Sequence, residues 1–385
     1  MRFPEFTDIW ETKKLGSLVE IKSGISPTNI IDEEGKIPYF KVDQLNSSEK
    51  YLSSFNTPYF TRSHKDVIKA NSVIFPKRGA AIMTNKVRII EQDSLIDTNL
   101  MSIICNETQR LNNEYLYYFI LNKQLSRIAD TSTIPQLNNI HINPIPFPLP
   151  NIIEQNKIAT FFSLLDQRIE TQNKIIGKLE SLIKGILHGL EFKGRQKETW
   201  QYLYLRDILT ERRERNANNY PVFSVSVSKG IINQIEYLGR SFAAKDTQNY
   251  NLVHNGDIVY TKSPTGKFLY GIIKQSFIES PVAVSPLYGV YSPINKFVGN
   301  YLHYYFKNPR NANNYLHSLI QKGAKNTINI TNQHFLDKKI LLPGGDEITL
   351  ISNLLNDISC KITLEESVSQ KLIAQKTHLL SLMFI

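Results

Sequence analysis

The sequence predicts an α+β protein in which one domain-plus-helix unit is repeated twice, with the two long helices paired as an antiparallel coiled coil. Three observations predict it. First, residues 151–190 contain no proline, and apolar residues recur there in steps of three and four with one seven-residue step over Gln172. That is the seam of a helix whose stripe must be covered by another helix. Second, residues 346–385 repeat the pattern 193 residues later, counted from Pro150 to Pro343. Third, each stretch ahead of a helix holds short β-type segments divided by turn residues, without βαβ alternation, so each domain is a curled mixed sheet with helices. The expected organisation is domain 1–150, helix 151–192, domain 193–344 and helix 345–385.

The repeat is read without a gap. Ile158 falls on Ile351, Phe161-Phe162 on Leu354-Leu355, Leu165 on Ile358, Ile169 on Ile362 and Leu179 on Leu372. Ile186-Leu187 falls on Leu379-Leu380, and the polar Gln172 on Glu365. A unit this long is a duplicated domain rather than a solenoid repeat. Helices of 35–40 residues span about 55 Å at about 1.5 Å per residue. The pairing residues expected are Phe162, Leu165, Ile169, Gln172, Ile176, Leu179 and Ile183 on one helix. Leu354, Ile358, Ile362, Glu365, Leu372 and Leu379 face them from the other. Antiparallel pairing sets Leu165 against Leu372, Leu179 against Ile358, Ile183 against Leu354, and shares the Gln172/Glu365 layer as a register device. Parallel pairing also joins Gln172 to Glu365 but sets Ile183 against Lys376, so antiparallel is favoured. A plainer alternative is two amphipathic helices, each packed on its own domain. A second apolar face, Phe161, Leu164, Ile175 and Leu182, is left for another subunit.

Along the chain, Trp10 opens the first unit, and Leu15 to Ile21 is a short amphipathic turn ending near Ser23-Gly24. Strands are expected at Ile37–Val42, Asn71–Pro76, Lys86–Ile90 and Leu100–Cys105, then a helix from Glu114 to Leu121 capped by Asn112 or Asn113. The unit closes with Thr133–Leu137 and a run carrying Pro144, Pro146, Pro148 and Pro150, which keeps the chain extended up to the helix. The second unit follows a basic linker, Lys193–Lys197, and opens on Trp200, the chain's other tryptophan. Asn255–Tyr260 aligns with Asn71–Pro76, Tyr301–Phe306 with Tyr115–Ile120, and Asn332-Gln-His334 with Asn139-Ile-His141. Between these anchors the halves diverge. Val225–Gly230 and Ser280–Tyr288 have no counterpart in the first.

A shared frame with divergent interiors suits two copies of one recognition domain reading different things. In that organisation the chain resembles the specificity subunits of type I restriction–modification systems over essentially its whole length. The residues that carry the resemblance are Glu154-Gln155 after the proline-ended strand and the Ile158…Leu165-Asp166…Ile169 helix opening. In the second domain they are Ser224–Gly230, Gly256–Tyr260 and Ser285–Tyr288; the first shows the Trp10…Leu15-Gly16 and Ile37–Lys41 frame. The C-terminal repeat departs from the pattern, with Gly344-Gly-Asp-Glu347 in place of the Glu-Gln pair. The resemblance implies target-recognition domains that bind a bipartite double-stranded DNA site, one half each, across an unread spacer. It implies two methyltransferase subunits bringing S-adenosylmethionine, and motor-nuclease subunits bringing ATP and magnesium. No cofactor is expected in this chain.

Composition agrees with such a role. Net charge is +10, which favours a polyanionic partner. The two cysteines, Cys105 and Cys360, are not in equivalent positions, so neither a disulfide framework nor a metal site is indicated. With no apolar leader and no long apolar run, the expected location is the cytoplasm, away from membranes. Chemistry of the chain's own is not expected. An amino-methyltransferase loop of the Asn/Asp-Pro-Pro-Tyr/Phe type is absent, since Asn143-Pro144 and Asn308-Pro309 lack the rest. Ser263–Lys267 ends like a phosphate loop, but Thr261 and Phe268 stand where that loop needs glycine and Ser or Thr. No metal spacing links the eight histidines, and His141 and His334 lack nearby ligands.

DNA readout needs Arg, Lys, Asn or Gln at base edges, held in register by phosphate contacts. Candidates in the first domain are Lys41, Gln44, Lys77, Arg78, Asn85, Lys86 and Arg88. In the second they are Ser228, Lys229, Thr261, Lys262, Ser263, Lys267, Lys322, Lys325 and Asn326. Lys77-Arg78 and Thr261-Lys262 follow aligned strands, so both copies place cations at one topological point. Two other functions fit the same duplication: a non-catalytic protein-binding scaffold, and an RNA-binding module. The RNA reading asks for aromatic platforms with a recognisable motif, and none is found.

Overall fold

A computed structural model describes residues 2–28, 30–47, 49–62, 65–132, 134–239, 246–322 and 328–384, with backbone only for Leu238, Gln321, Lys322, Ile328 and Asn329. Lys325, Asn326 and Thr133 lie outside the described residues. The chain divides into two compact units. One is residues 1–172 with 368–385; the other is residues 173–367.

The first unit contains β1 (Glu11–Lys14), β2 (Val19–Ser23), β3 (Ile37–Phe40), β4 (Tyr51–Leu52), β5 (Phe60–Thr61), β6 (Val73–Pro76), β7 (Arg88–Ile90), β8 (Leu95–Ile96) and β9 (Leu100–Cys105). Helices α1 (Asn113–Lys123) and α2 (Asn139–Ile142) and strand β10 (Pro146–Leu149) lead into α3 (Ile152–Gln196). Its main sheet has the order β2-β9-β6-β7-β4, antiparallel except for β4 against β7. Strand β6 is buried on both faces, which is why its sequence is a continuous apolar run. Val73 and Phe75 face the core shared with α1, while Ile74 joins a second cluster with Phe40, Leu52 and Ile90. The Asn112 side chain caps α1 by accepting from the Tyr115 amide at 2.9 Å. Tyr115 to Ile120 are all buried, as in a helix covered all round.

The second unit repeats the plan. It runs through β11 (Trp200–Tyr204), α4 (Leu205–Ile208), β12 (Leu209–Glu211), β13 (Phe223–Ser226), β14 (Gly230–Asn233), α5 (Gln234–Leu238), β15 (Asn251–Val253) and β16 (Ile258–Tyr260). It continues with β17 (Ile273–Gln275), β18 (Val282–Val284), β19 (Gly289–Pro293), α6 (Lys296–Phe306) and α7 (Pro309–His317). Then come β20 (Gln321–Lys322), β21 (Ile328–Asn329), α8 (Asn332–Leu336), β22 (Lys339–Pro343) and α9 (Gly345–Met383). The main sheet has the order β12-β19-β16-β17, matching β2-β9-β6-β7. In both units the strand after the tryptophan region pairs with the proline-ended strand ahead of a long helix: Glu11 lies opposite Leu149, and Trp200 opposite Pro343.

The long helices run antiparallel, and each unit shows it separately. In the first, Ile158 and Phe162 near the start of α3 share a core with Leu380, Met383 and Phe384 at the end of α9. Asp166 pairs there with Lys376. In the second, Ile183 and Leu187 share a core with Ile348, Ile351, Leu355 and Ile362 in the first half of α9. The helices also enter the domain cores: the Phe162 ring lies 5.2 Å from Tyr118, and Phe384 lies 5.3 Å from Tyr115. The plainer arrangement of helix on domain is thus combined with helix on helix. Leu354, expected in the seam, is 45% exposed; the buried positions step 351, 355, 362 and leave Leu354 one residue around the helix.

The expected basic linker is helical, since α3 continues to Gln196. Gly194 makes this possible. A Cβ there would lie 2.4 Å from the Trp200 indole, and Trp200 is buried. Gly194→Ala is therefore expected to destabilise the second unit by about 1–3 kcal/mol through overpacking. Denaturant unfolding of the full chain measures it, and a midpoint equal to wild type would show that the indole yields freely.

Candidate nucleic-acid interface

Strand alternation sets which residues of the two domains correspond. Ile258 and Tyr260 face the core shared with α6, while Val259 joins the other cluster with Val253, Val282 and Val290. This matches Val73, Phe75 and Ile74, respectively. The structural correspondence is therefore one residue off the sequence alignment, because a one-residue slip would turn every side chain to the wrong face. Lys77, not Arg78, is the counterpart of Lys262. Each lysine is the second residue after its strand's last core-facing side chain.

These two lysines share an environment. Both are half-buried, and burial pushes both ammonium groups below the usual lysine range. Arg78 adds to this at Lys77, and Glu211 partly offsets it at Lys262. The Lys77 backbone is fixed by bonds to Asn99 and Leu137, both 2.8 Å, and Lys262 takes a left-handed φ of 59°. Arg78, Ser263 and Lys267 are exposed beside them. Among the described residues, no carboxylate pairs with Lys77, Arg78, Lys262, Lys267 or Lys229. Other surface cations are paired instead: Arg62 with Asp32 and Glu34, Lys69 with Asp93, Arg206 with Asp337, Arg213 with Glu211. Ser228 and Lys229 are exposed at the tip of the β13–β14 hairpin.

Other sequence candidates are engaged in building the fold. The Gln44 carboxamide accepts from the Lys41 amide at 2.8 Å, and the Lys41 ammonium sits 3.5 Å over the Tyr59 ring. Asn85 has φ 47° and donates to the Leu121 carbonyl at 2.8 Å. Lys86 donates to Asn46. Arg88 donates to the Val87 and Ser47 carbonyls. Thr261 is buried, and its hydroxyl accepts from the Ile272 amide at 3.0 Å. Lys322 lies on β20. Sequence reasoning missed a support at the start of β16, the opposite end of the strand from Lys262. There the buried Asp257 accepts from Arg212 at 2.6 and 3.0 Å and from the His254 amide at 2.8 Å. Gly256-Asp257 ahead of a strand was the available signal.

On the long helices, Leu164, Ile175 and Leu182 are exposed at 58%, 38% and 47%. Phe161, grouped with them from sequence, is half-buried because Phe3 packs edge-on against it at 5.9 Å. The His141 ring accepts from the Asn138 amide at 3.0 Å, a capping role. Among the described residues, no group of three or more His, Cys, Asp or Glu is arranged to hold a metal. No described helix is long and apolar enough to cross a membrane.

Residues 8–181 match the family described as "Type I restriction modification DNA specificity domain". The MjaVIII type I restriction enzyme specificity subunit of Methanocaldococcus jannaschii is 22% identical, over all of this chain and 93% of its own length. The MjaIX specificity subunit of the same organism is 29% identical over 44% of this chain, so the chain matches 41% of that relative's length. The crystal structure of a type I restriction-modification system S subunit from M. genitalium superposes with a TM-score of 0.56 at 15% identity. That superposition covers 99% of this chain and 98% of the other.

Proposed function

The chain is a DNA specificity subunit of the type I restriction–modification family, and on that premise we propose that it reads a bipartite double-stranded DNA site, one half per domain. One observation carries the reading. Both domains hold a partly desolvated lysine, paired with no carboxylate among the described residues, at the same point after the same strand of a shared frame, Lys77 and Lys262. Cations held there without acid partners suit phosphate, and the exposed Arg78, Ser263 and Lys267 beside them suit base edges. The hairpin tip with Ser228 and Lys229 adds a second reach in the second domain.

The chain itself is read as non-catalytic and cytoplasmic. It carries two methyltransferase subunits, which bring S-adenosylmethionine, and motor-nuclease subunits, which bring ATP and magnesium. Leu164, Ile175 and Leu182 support a docking role for α3, as large apolar side chains left exposed on an ordered helix. Leu164→Ala with Leu182→Ala is expected to weaken co-purification with the methyltransferase about tenfold, without lowering the unfolding midpoint. Full co-purification would place the contact elsewhere.

The test of the whole reading is a base-resolution methylation map of a methylation-free host expressing this chain with its methyltransferase subunit. A two-part motif with an unread gap, absent without this chain, is the expected result. Exchanging residues 1–150 for those of another specificity chain should then change one half of the motif alone. A complex that forms without any motif would overturn the reading.

A further inference from the structure

The same correspondence that aligns Lys77 with Lys262 also aligns Arg88 with Lys274, because Arg88 lies opposite Ile74 and Lys274 opposite Val259. Each domain thus carries a cation on the strand beside one buried on both faces: Arg88 on β7, second from an edge, and Lys274 on β17, the edge strand of its main sheet. In the first domain the charge is closed off. Two carbonyls take the Arg88 guanidinium, and its Nε is sealed from solvent. The second differs. Lys274 is 2% exposed, and among the described residues it has neither a carboxylate nor any other side-chain partner. Its nitrogen is not among the sealed, unbonded side-chain atoms, so part of that small exposure lies at the ammonium.

Among the described residues, the surroundings add positive potential and no acid that pairs with Lys274. Lys307 stands at the end of α6, close enough to oppose protonation of both Lys274 and His303. The amide of Gln275 donates to His303 Nδ1 at 3.1 Å, which leaves the neutral ring with its proton on Nε2. Phe277 covers that ring edge-on at 5.1 Å and is itself 54% exposed. A buried ammonium without a counter-charge costs stability unless a ligand supplies one.

We propose that Lys274, together with Lys307, holds a phosphate group in the second domain, supplied by the DNA backbone, at a point separate from the Lys262 turn. Burial pushes Lys274 down to about 8, with Lys307 adding to the shift, and a phosphate diester at the ammonium would push it back up by stabilising the charged form. The contact positions the duplex and carries no base information. The proposal rests on the DNA-reading function of this domain.

The test uses the full chain co-expressed with its methyltransferase subunit, and duplex binding measured against salt. Lys274→Met keeps the packed stem and removes the charge. It is expected to weaken target and unrelated duplexes alike by about tenfold and to make the salt slope shallower by about one. Lys274→Arg should keep the slope, and the melting temperature of Lys274→Met should be no lower than wild type. Wild-type affinity and slope in both Lys274→Met and Lys307→Met would overturn the proposal. If Lys274→Met also unfolds more easily, Lys307→Met decides, since it changes a half-buried side chain outside the sheet; an unchanged slope there counts against the site. Inorganic phosphate is the second arm. If it protects wild type but not Lys274→Met from unfolding while the DNA slope is unchanged, the site takes a free anion and the assignment to DNA falls. A wild-type complex that binds no duplex sinks the DNA reading itself and is distinguishable from all of these.

Discussion

Replacing Arg212 with alanine is expected to cost the second unit about 3–5 kcal/mol. The reason is asymmetry of burial. The Asp257 side chain is 2% exposed and the Arg212 side chain 26%, so removing the guanidinium strands a carboxylate that has two bonds to it. Asp257 would keep only the His254 amide at 2.8 Å, whereas Arg212 gains its raised affinity for the proton chiefly from Asp257. Each unit has one tryptophan, so unfolding followed by Trp200 fluorescence in a Trp10→Phe background isolates the effect. Arg212→Met combined with Asp257→Leu should recover most of the loss, because an apolar pair leaves nothing uncompensated. A loss below about 1 kcal/mol in Arg212→Ala would mean that water reaches Asp257 and the pair is not a clamp.

The second large effect is on binding. Lys77→Glu and Lys262→Glu are each expected to lower affinity for the DNA target by about 10–100-fold, with a shallower salt dependence. Stability should change little, since among the described residues neither lysine has a carboxylate partner to strand. Titration of target and unrelated duplexes over a range of ionic strength measures it: each substitution should weaken both duplexes alike, as loss of a phosphate contact does. A scaffold that merely binds protein predicts unchanged DNA binding in both variants. That outcome would remove the observation on which the functional reading stands.

How much of this was legible beforehand follows from which periodicities the sequence contains. The long helices, their repeat at 193 residues, the proline-ended strands and α1 with its Asn112 cap are all local patterns, and α3 and α9 start where those patterns put them, α3 then running on through the expected linker to Gln196. Even the anti-alignment of Lys376 with the Ile183 layer held information, because Lys376 finds Asp166 instead. The candidate site was legible only in part. The two lysine turns were visible as charges after apolar strands. However, Gln44, Asn85, Arg88 and Thr261 carry the same residue chemistry as DNA-reading side chains and spend it on amides and carbonyls of their own domain.

The sequence alone determined that there are two copies of one unit, that each ends in a long amphipathic helix, and that the copies share a frame while their interiors diverge. Those are properties of neighbours along the chain, set by helix and strand periods and by proline. Tertiary structure decided three other things: which face of β16 turns to α6, that Lys77 rather than Arg78 matches Lys262, and that Lys274 stands buried with no acid partner among the described residues. It also decided that Leu355, not Leu354, enters the core. Each of these depends on a side chain's distance from residues far away in sequence. A pattern of polar and apolar letters records that a lysine is present on a strand; only packing says whether a carboxylate has come to meet it.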